Sequence, residues 1–288
     1  MKVILSAVLL LSIGLSNVKA QLTPQELSYF KAYEDTINTY SDSLFNSESE
    51  KTRKLASYDI IRTLKTALKK DNSYLYAFSN LKAISIVEPE DKAFKIFTWQ
   101  LILNNNTYKY FGAIQMNSPK LKLFPLLDQS DMLDQTEFPV IISNNEVWIG
   151  ALYYDIKKVK KGKNVYYTLF GYDGNNVLST KKIVDVLWFK DGEVRLGAPI
   201  FDTGEEELDC RFIIEYRKGV SASLKYSEEE QKIIVDHLIP ENEGGEGQYY
   251  TYVPDGSYDG FEWKKGVWVF ISKLFNFELQ DGEFPMGN

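Results

Sequence analysis

From about residue 80 onward the chain is a succession of short segments in which alternate side chains are aromatic or aliphatic, each ending in Gly, Asn, Asp or a Lys-Gly pair. A repeat of two puts the apolar groups on one face of a strand, and turn residues between the runs return the chain beside itself, so this part is restricted to antiparallel sheet. The clearest stretch is 147–189. Residues 147–154 and 164–170 are expected to pair over the turn Lys160-Lys161-Gly162-Lys163, within the basic hairpin 157–163, with the turn Gly171-Tyr172-Asp173-Gly174-Asn175-Asn176 leading to a further strand at 183–189.

The same chemistry recurs on both sides. Residues 94–102 and 108–115 flank Asn104-Asn105-Asn106, and 183–189 and 193–196 flank Lys190-Asp191-Gly192. A three-strand meander is predicted for 211–217, 222–226 and 232–238, and strands 249–253, 261–263 and 267–271 are predicted around turns at 255–260 and 264–266. Residues 121–139 read as irregular, because Pro119, Pro125 and Pro139 would interrupt a ladder. No strict repeat is visible, which weighs against a propeller.

Before residue 80 the period is helical. Thr23, Pro24 and Glu26 form a capping signal, followed by Leu27, Phe30, Tyr33, Ile37 and Tyr40 at three- and four-residue spacing. A second helix carries Leu55, Tyr58, Ile61, Leu64 and Leu68 on one face and ends at Lys69-Lys70-Asp71-Asn72. The fold class is therefore α+β: two N-terminal helices at 21–80, then a large, mainly antiparallel β structure at 81–275, as a sandwich, open barrel or propeller-like sheet. Residues 276–288 read as a mobile tail.

Residues 1–20 carry a basic start, an apolar run from Val3 to Leu15 and Val18-Lys19-Ala20 before Gln21, the pattern of a secretory signal cleaved after Ala20. The expected location is periplasmic or secreted, with no transmembrane segment after cleavage. Net charge is -7 before cleavage, and removing Lys2 and Lys19 makes the remainder more acidic, which speaks against nucleic acid as the ligand. Cys210 is the only cysteine, so no disulfide can form within the chain and the apolar core, drawn from a 44% hydrophobic composition, must hold the fold. Cys210 reads as a small buried hydrophobe beside a strand.

Few catalytic chemistries fit. His237 is the only histidine, no Gly-x-Ser-x-Gly elbow accompanies it, and one His with one Cys cannot make a usual zinc site. It reads as a satisfied or rim histidine. Carboxylate pairs remain open, since their spacing in a glycosidase is spatial. Trp148, Tyr154, Tyr172 and Tyr258 are the candidate aromatic platform for stacking on a sugar, within a β region whose aromatics mostly belong to its core. Asp255, Ser257 and Asp259 match alternate positions of a calcium loop, but Trp263 and Gly266 stand where further ligands would be needed. An Asp-Gly hairpin turn explains the same residues, so no cofactor is expected and calcium is the single candidate. Lys157-Lys158 and Lys160-Lys161 with Lys163 form a basic patch, or simply lysines that protect an edge.

Several strings, Tyr58-Asp59-Ile60-Ile61, Phe97-Thr98-Trp99-Gln100, Tyr110-Phe111-Gly112-Ala113-Ile114-Gln115, Gly171-Tyr172-Asp173-Gly174-Asn175-Asn176 and Tyr258-Asp259-Gly260-Phe261, resemble stretches of a group of exported Bacteroidota proteins that carry no assigned activity. The resemblance spans most of the chain after the signal. It implies an envelope or extracellular location and brings no catalytic residues with it. The expected function is a non-enzymatic binding or accessory protein of the cell envelope, acting with another envelope protein or a glycan. The alternative is a carboxylate-based hydrolase acting on polysaccharide.

Overall fold

The computed structural model describes residues 21–275; the expected signal at 1–20 and the expected tail at 276–288 lie outside them. Among the described residues two α-helices come first, α1 (Pro24–Asn46) and α2 (Glu50–Leu68). Thr23 and Glu26 form the reciprocal capping box that starts α1, and the Ser49 hydroxyl accepts the Thr52 N–H at the start of α2. The stripes are rotated slightly from expectation. Phe30, Ile37 and Leu44 of α1 and Ala56, Ile60 and Leu64 of α2 are buried, whereas Leu27, Leu55 and Tyr58 are exposed.

Fourteen strands follow in three sheets. The first sheet runs in chain order through β1 (Ser85–Val87), β2 (Phe94–Ile102), β3 (Tyr108–Met116) and β4 (Leu123–Leu127). Part of the stretch expected to be irregular is thus the edge strand β4, and Pro125 is tolerated there because an edge residue need not donate to a second neighbour. The middle sheet contains β5 (Leu152–Lys161), β6 (Asn164–Asp173), β7 (Ser179–Lys190), β8 (Glu193–Leu196) and β10 (Phe212–Arg217), in the order β10-β7-β6-β5 with β8 also on β7. The last sheet has the order β11-β12-β13-β14-β9, from β9 (Phe201–Asp202), β11 (Leu224–Ser227), β12 (Lys232–Pro240), β13 (Tyr252–Lys264) and β14 (Val267–Ile271). All pairings are antiparallel except β9 with β14, and none of the sheets closes into a barrel.

The layers stack as helices, first sheet, middle sheet and last sheet. Phe97, Trp99 and Leu101 of β2 pack against the helices, while Phe94 and Ile96 on its other face meet Leu169 and Ile183 of the middle sheet. Phe170, Val184 and Val186 leave the far side of the middle sheet to pack on Ile233, Phe261 and Trp268 of the last. A sheet covered on both faces needs apolar side chains at consecutive positions, which explains why β2, β6 and β7 are buried almost continuously. The apolar-polar alternation read from the sequence does not hold in these strands.

Three expected turns or pairings differ. The lysine-rich segment is mostly strand, for β5 continues to Lys161 and the turn is only Gly162-Lys163. Ile156 and Val159 keep that segment in register, and its lysines find carboxylates on neighbouring elements: Lys157 with Glu90 and Glu228, Lys158 with Asp91. The expected meander is divided between sheets, because β10 pairs with β7 while β11 and β12 belong to the last sheet. The expected turn at 255–260 is a bulge inside β13, where Gly256 sits at φ +90°.

What draws β10 to the middle sheet is the residue that precedes it. Arg211 is fully buried and its Nε lies 3.0 Å from Asp185 Oδ1 on β7, itself fully buried. Its Nη1 donates to the carbonyls of Phe138 and, at 2.9 Å, Ile141. Asp185 also accepts from the Tyr153 hydroxyl at 3.1 Å, which accepts in turn from the Trp148 indole at 2.9 Å. Gly197, at φ +81°, makes room for the guanidinium, since a Cβ there would lie 2.7 Å from Nη2. Beside it the Cys210 thiol is buried, and burial pushes its pKa up. Replacing one member of a buried pair strands the other charge, so Arg211→Met is expected to lose about 3–5 kcal/mol. Urea unfolding followed by tryptophan fluorescence measures it, and a loss under about 1 kcal/mol, the range of an exposed pair, contradicts this role.

Candidate functional site

A cleft of about 720 Å³ opens between the middle and last sheets where β10 is the edge strand. One wall is Phe212, Ile213, Ile214 and Glu215 of β10, with Lys181 of β7 behind them. Facing it are Val235, Asp236, His237 and Leu238 of β12, with Asp259 of β13 and Phe270 of β14. The turn through Gln135, Thr136, Phe138 and Pro139 closes one side, and Tyr249 and Tyr252 close another. Its volume falls in the usual range of about 300–1,000 Å³ for ligand clefts.

The turn wall is tied to β10 from within. The Pro139 carbonyl accepts the N–H groups of Cys210 and Arg211, at 2.6 and 3.2 Å, and the Phe138 carbonyl accepts from the buried guanidinium. The wall is therefore set by the same ion pair that places β10.

Two polar groupings contribute to the lining of the cleft. In the first, His237 Nδ1 lies 2.7 Å from Asp259 Oδ2, while Asp259 Oδ1 accepts the Lys273 N–H at 3.0 Å. A local irregularity presents this histidine. Asp236 pairs with Tyr258 and Leu238 with Pro254, so Asp255, Gly256 and Ser257 together stand opposite His237 alone, two residues more than the ladder requires. Asp255 folds back on the bulge, accepting the Ser257 N–H at 2.8 Å and hydroxyl at 2.7 Å. Burial opposes its ionisation, yet these two bonds, with His237 near, hold its carboxyl below the usual range.

The second grouping is centred on Lys181, a buried ammonium whose cross-strand neighbours are Asp173 on β6 and Glu215 on β10. Lys181 donates to Gln135 Oε1 at 2.6 Å and lies 3.7 Å from Glu215. Glu215 also accepts from Asn175 at 3.1 Å and from the Ser179 hydroxyl. Burial raises the pKa of Asp173, against the Asn175 N–H and the Tyr110 hydroxyl that bond it. Asp236, on the β12 wall, accepts the Ser223 N–H at 2.8 Å.

The residues singled out in the sequence are dispersed. Trp148 is fully buried, its indole committed to Tyr153, so it has no face to offer a ligand. Tyr154 and Tyr172 do come together, on either side of Lys182, whose ammonium lies 4.5 and 5.9 Å from their ring centres. The Tyr154 hydroxyl is spent on the Leu224 carbonyl at 2.6 Å, and neither ring lines the cleft. Tyr258 packs edge-on to Phe275. Of the calcium-loop residues, Asp255 and Ser257 bond each other and Asp259 turns to His237; among the described residues no group of three or more His, Cys, Asp or Glu side chains is placed to hold a metal. No described helix is long and apolar enough to cross a membrane.

No family model matches the chain, and no curated protein or solved structure matches it.

The pairing of His237 with Asp259 escaped the sequence reading because a turn was placed at 255–260, which separates two residues that a continuous β13 brings together. The signal was there in outline: the single histidine lies on a strand whose antiparallel partner carries Asp259. With Nδ1–H donating to Asp259, the lone pair is expected on Nε2, leaving that nitrogen as the acceptor of the ring. Long-range ¹⁵N–¹H correlation of the single imidazole at a pH where it is neutral should show the Nδ1–H tautomer, and Asp259→Ala should convert it to Nε2–H. An unchanged tautomer in the variant means the carboxylate does not orient the ring.

Proposed function

We propose that the chain is an exported, non-enzymatic binding or accessory module of a bacterial cell envelope, which holds an extended segment of an envelope protein or glycan in the cleft beside β10. The observation that carries this reading is the make-up of that cleft. Its walls are mostly aliphatic and aromatic, and polar groups among them are already ordered in pairs, His237 with Asp259 and Lys181 with Gln135. Such an arrangement binds without reorganising. Export rests on the N-terminal pattern.

Hydrolysis of a polysaccharide is the second reading, and it draws on the presence of Glu215, Asp236 and Asp259 in the same cleft. Among the described residues no hydroxyl or thiol is bonded to His237, so a Ser-His type nucleophile has no support.

The test is photo-crosslinking in intact cells. A photoreactive residue at Thr136 or Tyr249, both exposed on the cleft rim, should capture an envelope component, whereas one at Lys31 on the helix layer should not. Equal capture from all three positions, or release of reducing ends from envelope polysaccharide that is lost in Asp259→Asn, rejects the non-enzymatic cleft reading. The exported chain is expected to begin at Gln21, as N-terminal sequencing of the secreted or periplasmic protein would show; a start at Met1 rejects export with cleavage.

A further inference from the structure

We infer that the occupant of this cleft is an extended peptide with apolar side chains at alternate positions, which adds to the free edge of β10 as a further strand of the middle sheet. The inference rests on the cleft reading and specifies its ligand.

The first ground is the position of the cleft relative to the strand. Ile213 and Ile214 are consecutive residues of β10, so their side chains lie on opposite faces of the sheet, one in the core toward the first sheet and the other against the last. A cavity that touches both can only lie along the edge between the faces. At that edge β10 is the terminal strand, and among the described residues the backbone of Phe212–Glu215 is paired with β7 alone. In an antiparallel pair every second residue turns its N–H and C=O away from its partner, so the cleft is floored by unused donors and acceptors at strand spacing. An added strand would satisfy them, which is the physical basis of peptide recognition by sheet extension.

The second ground is the side-chain lining, which is divided as an added strand requires. On one face of the prospective strand lie Ile213, Phe138 and Pro139; on the other lie Phe212, Ile214, Val235 and Phe270. Successive side chains of the ligand would therefore enter two different apolar surfaces. On the opposite wall Val235 of β12 is bonded on both sides, to β11 and β13, and the Asp236 N–H is taken by the Ser223 carbonyl, whereas the β11 ladder does not extend to His237 and Leu238.

Charge narrows the class further. Glu215, Asp236 and Asp259 outnumber Lys181 in the lining, so Lys or Arg in the ligand is favoured over Asp or Glu. A glycan is the weaker fit. Carbohydrate recognition relies on open aromatic faces, and the tyrosines at the cleft are Tyr249 and Tyr252 on one side, packed on each other, while Trp148, Tyr154 and Tyr172 lie outside it.

The test uses the full chain and a phage-displayed library of random dodecapeptides, selected on the native protein and counter-selected on Thr136→Trp, which fills the cleft from an exposed rim position and is checked for an unchanged circular-dichroism spectrum. Enriched peptides should alternate apolar residues and carry net positive charge. On binding they should slow amide exchange at Phe212–Glu215. Methylating the peptide nitrogens of one alternate set should weaken binding by about tenfold or more, while methylating the intervening set should leave it nearly unchanged. Because the methyl groups are on the ligand, this comparison is independent of whether any variant folds.

Failure to enrich any peptide overturns the inference, as does equal sensitivity of the two methylated sets. Binding of cellohexaose or chitohexaose that Thr136→Trp blocks, without peptide binding, also overturns it but leaves the cleft reading standing. Concentration-dependent dimers abolished by Thr136→Trp would instead assign the edge to a second copy of this chain. If neither peptide, sugar nor a second copy occupies the cleft, both readings fall together.

Discussion

The arrangement depends on a guanidinium without access to water. Arg211 reaches into the middle sheet to meet Asp185, and with Nη1 it takes hold of the carbonyls of Phe138 and Ile141, just after the short 3₁₀ turn Gln135–Glu137. A charge this deep is tolerated only when paired and bonded, so Asp185, the carbonyls of Phe138 and Ile141, and the space left by Gly197 have to arrive together. An apolar residue at the same place could fill the volume but could not select among registers. The ion pair stabilises one placement of β10 against the many that its apolar sequence would allow.

That placement has a consequence at the other side of the strand. With β10 held on β7 and the turn held over it, the last sheet packs against the middle sheet through Phe170, Val184, Phe261 and their neighbours but does not join it edge to edge. The space left over is the cleft. Natural sheets usually guard an edge with lysines, proline or a short strand. β5, the opposite edge of the same sheet, follows this habit, with Lys157, Lys158, Lys160 and Lys161 along it, whereas the cleft-lining part of β10 shows Phe212, Ile213 and Ile214. The two edges of one sheet are thus treated differently, one closed by charge and the other left open beside an apolar space.

Legibility in the sequence followed the range of the interactions involved. The start of α1 was readable because a capping box spans three residues, and the hairpin β2–β3 because Asn104-Asn105-Asn106 specifies a local reversal. Errors came where a local signal had two outcomes. Asp255-Gly256 supports a hairpin turn or a bulge equally well, since both need a positive φ at glycine, and only the partner strand decides between them. The lysines of β5 resembled a loop until Glu90, Asp91 and Glu228, all distant in the chain, were there to pair with them. Tryptophan and tyrosine gave no guidance to a ligand site, because the same rings serve the core: Trp148 is an internal hydrogen-bond donor, and Tyr154 a lid over Lys182.

By itself the sequence determined that two helices, the first with its cap, precede a body of short antiparallel strands, because periodicity, caps and turn residues act over a few positions and carry their meaning locally. Only the tertiary structure decided that the strands divide into three stacked sheets, that β10 leaves its sequence neighbours for β7, and that His237 meets Asp259 at the rim of a cleft. Those outcomes turn on which apolar face is covered by which, and on where a buried charge finds its partner, and both are settled between residues far apart along the chain.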